Sequence, residues 1–298
     1  ARVVEPIAPL PAEALVVTEG QLVELAGLVG AAIERPGHPV LVMSGPDGAG
    51  RKALVATLAA TAGVATLRVR VAALPRSAGE LAAVGAALMR EAMLARAVLV
   101  LEGVDQAPPG VGPLDDALCP AYPGPIVATA GRITGRPPAM ARGVVIIELG
   151  VPAETEREAL WLRALRPAPA ALARWAGERY AVTPGVIAQA GASAVARAAA
   201  RASAAAVTTA DVHAGLRGVL DAKLATLGTR IAWRQGWDEL VLPDDAAAEI
   251  REFIARIKHR RQVYEHWGFG RKVAKGMGLS ALFAGPPGTG KTMVAGII

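Results

Sequence analysis

Leu41-Val42-Met43-Ser44-Gly45-Pro46-Asp47-Gly48-Ala49-Gly50-Arg51-Lys52 and Ala281-Leu282-Phe283-Ala284-Gly285-Pro286-Pro287-Gly288-Thr289-Gly290-Lys291-Thr292 match position for position, 240 residues apart. Each is an apolar run followed by Gly-Pro-x-Gly-x-Gly. A separation of that size points to two tandem domains rather than a solenoid of short repeats. The second stretch also fits the phosphate-binding pattern G-x-x-x-x-G-K-[ST] from Gly285 to Thr292. Its glycines let backbone N–H groups turn inward around a phosphate with no Cβ in the way. Lys291 would reach the β- and γ-phosphates, the Thr292 hydroxyl would ligate Mg²⁺, and a helix opening at Met293-Val294-Ala295 would add its positive dipole end. The candidate cofactor-binding residues are therefore Gly285, Pro286, Pro287, Gly288, Thr289, Gly290, Lys291, Thr292 and Met293. Thr292 is the candidate metal ligand, and ATP with Mg²⁺ is the expected cofactor.

The first loop departs from that pattern where chemistry matters. Arg51 stands in place of the lysine and Lys52 in place of the hydroxyl residue, so the Mg²⁺ ligand is missing. Lys52 can swing toward a phosphate, although a shift of one residue points it along a different side of the helix. A non-hydrolysing relic is the favoured reading, and weak nucleotide binding stays open. The apolar run Val98–Leu101 ends in Glu102-Gly103-Val104-Asp105. A P-loop ATPase normally has two carboxylates there, one for the metal and one to activate water. Here Glu102 holds the first position and Gly103 the second, with Asp105 as a substitute or as an ordinary strand-end residue.

Outward from these loops, residues 1–150 alternate β-branched runs with helical stretches, the rhythm of a parallel α/β sheet. Strands are predicted at Val40–Met43, Leu67–Val71, Ala97–Leu101, Ile126–Ala130 and Val144–Leu149, making five. Helices are predicted near Gln21–Glu34, Arg51–Thr61, Ala78–Arg96 and Glu154–Leu165. Residues 151–232 lose the strand signal and become Ala-rich, predicting a helical domain in which Thr208-Thr209-Ala210-Asp211 starts a helix. A third segment, 233–298, opens at Trp237-Asp238-Glu239-Leu240-Val241-Leu242-Pro243. It continues in a helix capped by Asp244 or Asp245 and stopped near Gly268, then in a short buried strand over Leu279–Ala284.

Composition sets limits on function. The chain has 298 residues, 53% hydrophobic but only 4% aromatic, so cores must be built from Ala, Val and Leu and base-stacking surfaces are disfavoured. The net charge of +6 is spread along the chain and permits an acidic partner without demanding one. Cys119 is the only cysteine, and His38, His213, His259 and His266 form no metal-ligand spacing. The uncharged stretch Ala53–Leu67 is too short to span a bilayer. A soluble protein of a reducing, cytoplasmic compartment is expected, with no membrane partner. The chain begins at Ala1 and stops at Ile298, just after a loop-helix signal, and reads as a fragment of a longer protein.

The second loop, preceded by Trp237–Pro243 and by Trp267-Gly268-Phe269, resembles AAA+ ATPases. It is most similar to the tandem-domain bacterial group often encoded with contractile injection systems. The resemblance implies a fold of α/β class: a P-loop AAA+ parallel sheet with a helical lid, followed by the start of a second AAA+ domain. It makes 1–150 a degenerate core, 151–232 its lid, and 233–298 the N-terminal part of the second domain. It also implies that Leu240–Leu242 contact adenine and that Ala128-Thr129-Ala130 sits at a polar sensor, with Ala130 in place of the usual Asn. Arg142 falls near an arginine-finger position, or is an ordinary surface arginine. The implied activity is ATP binding and hydrolysis by a ring-shaped homo-oligomer that remodels a protein client.

Two other functions stay open: a non-hydrolysing scaffold module, and a DNA-linked ATPase. Lys258-His259-Arg260-Arg261 with Arg271, Lys272 and Lys275 is the densest basic region. It reads as a solvated helix face or a subunit contact more readily than as a nucleic-acid surface, since no reading motif accompanies it. The chain as given is expected not to turn over ATP.

Overall fold

The computed structural model describes residues 4–11, 19–107, 112–120, 122–133, 139–201, 205–224, 236–269 and 279–298. The chain divides into two compact units, Ala1–Thr226 and Leu227–Ile298. The expected boundary near 232 falls in residues 225–235, outside the described residues.

The first unit is built on a mixed, mostly parallel six-stranded sheet flanked by helices, P-loop-like in its general architecture. In chain order it contains β1 (Val4–Pro6), α1 (Glu19–Glu34), β2 (Val40–Ser44), α2 (Arg51–Thr61), β3 (Thr66–Arg70), α3 (Ala78–Ala95), β4 (Val98–Glu102), α4 (Leu114–Leu118), β5 (Ile126–Ala130) and β6 (Val144–Glu148). The spatial order is β1-β3-β4-β5-β2-β6, and every pairing is parallel except β1 with β3. The five predicted strands are all present within a residue at each end, and a sixth, β1, joins them. Only three residues long, β1 carries no periodic signal. It is held at the edge by Glu5, whose carboxylate pairs with Arg68 and, at 2.9 Å, with Arg70 on β3. Those guanidiniums keep the Glu5 carboxyl below its ordinary range, the Arg68 hydrogen bond foremost.

Continuous apolar runs become central strands because both faces are covered. Alternate residues of β2 divide between two cores: Leu41 and Met43 pack with Leu25 and Val29 of α1 and Leu54 and Val55 of α2, while Val40 and Val42 lie in the core that α3 and α4 cover. Right-handed crossovers account for this arrangement. The β2-to-β3 connection runs one way along the sheet and the later ones run the other, so their helices lie on opposite faces. Cys119 is buried in the second core, and burial pushes its thiol up to about 12, which leaves it protonated and inert.

Four helices complete the unit: α5 (Glu154–Ala164), α6 (Ala170–Arg179), α7 (Pro184–Arg201) and α8 (Thr209–Leu224). They enclose Trp161, which is fully buried among small residues such as Ala173, Ala176, Ala190 and Ala194. An Ala-rich bundle packs only if its backbones come close. A Cβ added at Gly215 of α8 would lie 2.4 Å from the Ala190 carbonyl oxygen of α7. Thr208 caps α8: its hydroxyl accepts from Asp211 N–H at 3.4 Å, and its own N–H donates to the Asp211 carboxylate at 2.8 Å. Asp211 also pairs with Arg201 at 2.7 Å.

The second unit holds α9 (Asp244–Arg261), a π-turn over Gln262–His266 and α10 (Lys291–Ile297). Pro243, rather than Asp244 or Asp245, is the N-cap of α9, which puts both carboxylates in the first turn beside the helix dipole. The helix stops as predicted before Gly268, which is left-handed at φ 73°. Leu279–Ala284 is not the expected buried strand. It has no sheet assignment, and Leu282 is 93% exposed. No described segment of this unit pairs with its backbone, and an unpaired run cannot form a ladder.

Candidate functional site

The glycine loops have the same backbone. In the first, Gly45, Gly48 and Gly50 have φ of 154°, 82° and 87°; in the second, Gly285, Gly288 and Gly290 have 151°, 84° and 79°. The left-handed values at the second and third glycines favour a residue without a Cβ. Each loop ends in a left-handed cap, Gly50 or Gly290, and the next residue begins a helix, Arg51 of α2 or Lys291 of α10. In the first loop the N–H groups of Gly48, Gly50, Arg51 and Lys52 have no hydrogen-bond partner among the described residues. Converging N–H groups at a helix start form a concavity suited to an anion.

The first loop floors an open cleft of about 1360 Å³. Its sides come from the ends of β4 and β5, from α5 and α7, and from the segment Ile7–Leu10. That segment is pinned beside α2, where the Thr57 hydroxyl accepts from Leu10 N–H at 3.0 Å and donates to Leu10 O at 2.9 Å. The four-helix bundle is fastened to the loop from the other side. Thr183 donates its hydroxyl to Asp47 O at 2.9 Å and Gly185 its N–H to Gly48 O at 2.8 Å. The start of α7 is thus fixed beside the first glycine loop.

The charges in the cleft are arranged around Glu102. Lys52 bonds to one of its oxygens, and Arg68 lies 3.4 Å from the other. Arg51 turns away to Asp47 at 3.3 Å. Arg163 of α5 lines the cleft half-buried and has no ion-pair partner among the described residues. Gly103 follows Glu102 in the left-handed region, φ 76°, and its N–H donates to Thr129 O at 2.9 Å. The chain therefore turns away from the strand line at the position where a second carboxylate was sought. Asp105 lines the cleft and is exposed. Ala130 is buried and supplies no polar group.

No protein-family model matches the chain. The curated proteins searched contain no match either.

In the second unit the loop 285–289 stands exposed. Lys291 folds back over it, donating to Gly285 O at 2.9 Å and Pro286 O at 2.5 Å, with Thr289 Oγ1 at 3.3 Å. The Thr292 hydroxyl is exposed and has no hydrogen-bond partner among the described residues. The sequence-predicted residues Gly285 to Met293 are thus contiguous in a loop and first helical turn whose donor set suits a magnesium-bound phosphate chain. Val241 is 93% exposed within Leu240–Leu242.

Arg142 is not an ordinary surface residue. It is half-buried and donates to Gly124 O at 3.1 Å and to Tyr122 O, and its backbone N–H donates to the buried Asp115 carboxylate at 3.0 Å. Lys258 and His259 are exposed on α9, whereas Arg271, Lys272 and Lys275 lie outside the described residues. Among the described residues no cluster of His, Cys, Asp and Glu could hold a metal ion, and no helix is long and apolar enough to cross a membrane. The pairing of Lys52 with Glu102 and the place of Arg163 in the cleft were not legible in the sequence. The sequence signalled Lys52 and Glu102 separately, by the loop pattern and by the end of the apolar run, and gave no signal for Arg163.

Proposed function

We propose that the chain is part of an AAA+-type nucleotide-dependent remodelling protein, binding Mg-ATP at Gly285–Thr292 and carrying a non-hydrolysing core in its first 150 residues with a lid over 151–232. One observation carries the reading: the same three-glycine backbone occurs in both units, each time opening a helix, and in the second it presents Lys291 and Thr292. Bound there, Mg²⁺ would neutralise charge on the phosphates and polarise them for transfer. Lys291 would exchange its loop carbonyls for β- and γ-phosphate oxygens. The Thr292 hydroxyl would hold the metal, and the first N–H groups of α10 would face the phosphate chain.

A ring-shaped homo-oligomer acting on a protein client is the assembly this reading implies. The competing scaffold reading draws on Gly103, whose left-handed turn removes the water-activating carboxylate from the first site. Calorimetric titration of the full chain with Mg-ATP tests the proposal. Magnesium-dependent binding is expected, with its loss on Lys291→Ala. A titration unchanged by that substitution overturns it.

A further inference from the structure

We propose that the cleft of the first unit binds the phosphates of a nucleoside di- or triphosphate without a divalent metal, the Lys52 ammonium on Glu102 standing where a P-loop places Mg²⁺. The inference rests on reading the glycine loops as phosphate cradles and goes beyond the site at Gly285–Thr292. In a P-loop the metal lies between two groups: the hydroxyl of the residue after the loop lysine, and the carboxylate at the end of a neighbouring strand. Those two positions here are Lys52 and Glu102, and they are bonded directly to each other. Magnesium does not fit this arrangement. Its hydroxyl ligand is replaced by a cation, and its carboxylate is already engaged by Lys52 and by Arg68 at 3.4 Å.

The rest of the cradle is intact. Gly48 and Gly50 are left-handed, the loop and the first turn of α2 line the cleft, and the N–H groups of Gly48, Gly50, Arg51 and Lys52 have no partner among the described residues. Lys52 is partly exposed, so its remaining donors reach the cleft. Arg163 supplies a second cation from the opposite wall. A volume of about 1360 Å³ exceeds the roughly 300–1,000 Å³ of ordinary ligand pockets and accommodates a nucleotide. Ile7, half-buried, and Leu10, exposed, line it and give an apolar surface for a base. Lys52 therefore does for the phosphates electrostatically what a metal would do, and brings no Lewis acidity with it. The bound nucleotide is a structural ligand that ties loop, sheet and lid together.

The test uses the full-length chain carrying Lys291→Ala and Thr292→Ala, which silence the second loop, with ADP and ATP as probes in calorimetry. Affinity is expected to differ less than about twofold between excess EDTA and excess MgCl₂, a difference too small to involve a bound metal. Lys52→Thr restores the hydroxyl and is expected to weaken binding in EDTA at least about tenfold, with recovery on adding Mg²⁺, the size of one lost charge-assisted hydrogen bond. Arg163→Ala weakens binding equally under both conditions. Circular dichroism confirms that each variant is folded. Absence of nucleotide binding to the doubly silenced chain, or binding only with Mg²⁺, overturns the inference. In either case magnesium-dependent binding by the wild type, lost on Lys291→Ala, leaves the functional proposal standing. Its absence removes that proposal separately.

Discussion

The fastening of the bundle to the first glycine loop is testable through one added methyl group. At Gly48 a Cβ would lie 2.6 Å from Thr183 Oγ1 and 3.4 Å from Gly185 Cα, on a residue whose φ is 82°. Two costs combine in Gly48→Ala. Placing alanine in the left-handed region costs about 1–2 kcal/mol. Thr183 is 6% exposed, so its hydroxyl has no solvent to retreat into. It must rotate and give up its 2.9 Å bond to Asp47 O, which costs about 1 kcal/mol. Gly48→Ala should therefore destabilise the first unit by about 2–3 kcal/mol.

Thr183→Ala separates the two terms. Alone it loses the hydrogen bond, about 1 kcal/mol. In its presence the new methyl no longer meets an oxygen, so Gly48→Ala should cost only the backbone term of about 1–2 kcal/mol. The double-mutant cycle then has a coupling near 1 kcal/mol, well above the ~0.3–0.5 kcal/mol scatter of independent sites. Urea denaturation followed by circular dichroism reads the four stabilities, with equal m-values as the check that the unfolding transition is unchanged. If Gly48→Ala costs the same with and without Thr183, the clasp is not an energetic link and the reasoning fails.

Two glycines of α8 give a matched pair. Gly218→Ala, with nothing within 4 Å of its added Cβ, should stabilise by about 0.5–1 kcal/mol through helix propensity, whereas Gly215→Ala, 2.4 Å from Ala190 O, should destabilise by about 1–2 kcal/mol once overpacking outweighs that gain; opposite shifts in the urea midpoint check both. Asp211 has its carboxyl pulled well below the usual range by hydrogen bonding to Arg201 first and then to Thr208, against the opposing effect of burial. Its stabilisation is therefore complete above the unfolded value near 4 and is lost as pH falls from there toward the folded value, so the stability gap between wild type and Asp211→Asn should narrow below about pH 4 and stay flat above it. Residues 1–298 should release no phosphate from Mg-ATP above background. Gly103→Glu should not rescue hydrolysis, because its φ of 76° makes a side chain there cost about 1–2 kcal/mol and aims it off the strand line; steady turnover by either protein contradicts this.

What the sequence made legible follows from where the physics is local. β2, β4 and β5 are buried on both faces, so their apolar runs announce them almost to the residue. β1 escapes because three residues held by Glu5 to Arg68 and Arg70 carry no periodic pattern. The strand expected at Leu279–Ala284 had the right composition, but a strand needs a partner and no described residue of its unit supplies one. The Lys52–Glu102 pair spans 50 residues and unites a helix start with the end of a strand that is not adjacent to β2, since β5 lies between them. Residue-by-residue comparison with a phosphate-binding pattern registers Lys52 as a missing hydroxyl. Only the fold shows that the replacement and the retained carboxylate are one unit.

The shared glycine pattern does not have the same cause in the two loops. A Cβ at Gly45 would meet Leu149 O at 2.1 Å, and one at Gly48 would meet Thr183, so packing against the residue after β6 and the residue before α7 demands glycine there whether or not a phosphate ever binds. In the second loop, added Cβ atoms at Gly288 and Gly290 meet nothing within 4 Å. There only the backbone torsion and the close approach of a ligand call for glycine. Gly45 and Gly48 are therefore weak evidence for nucleotide, whereas an added Cβ at Gly50 meets nothing within 4 Å. Packing does not require the other groups of the cleft: Lys52 set on Glu102, and Arg163 and the loop N–H groups, which have no partner among the described residues. Alanine substitution should separate the two cases. At Gly45 and Gly48 stability and nucleotide affinity should fall together, whereas at Gly288 affinity should fall more than stability, because only a bound ligand would fill the space the new methyl occupies.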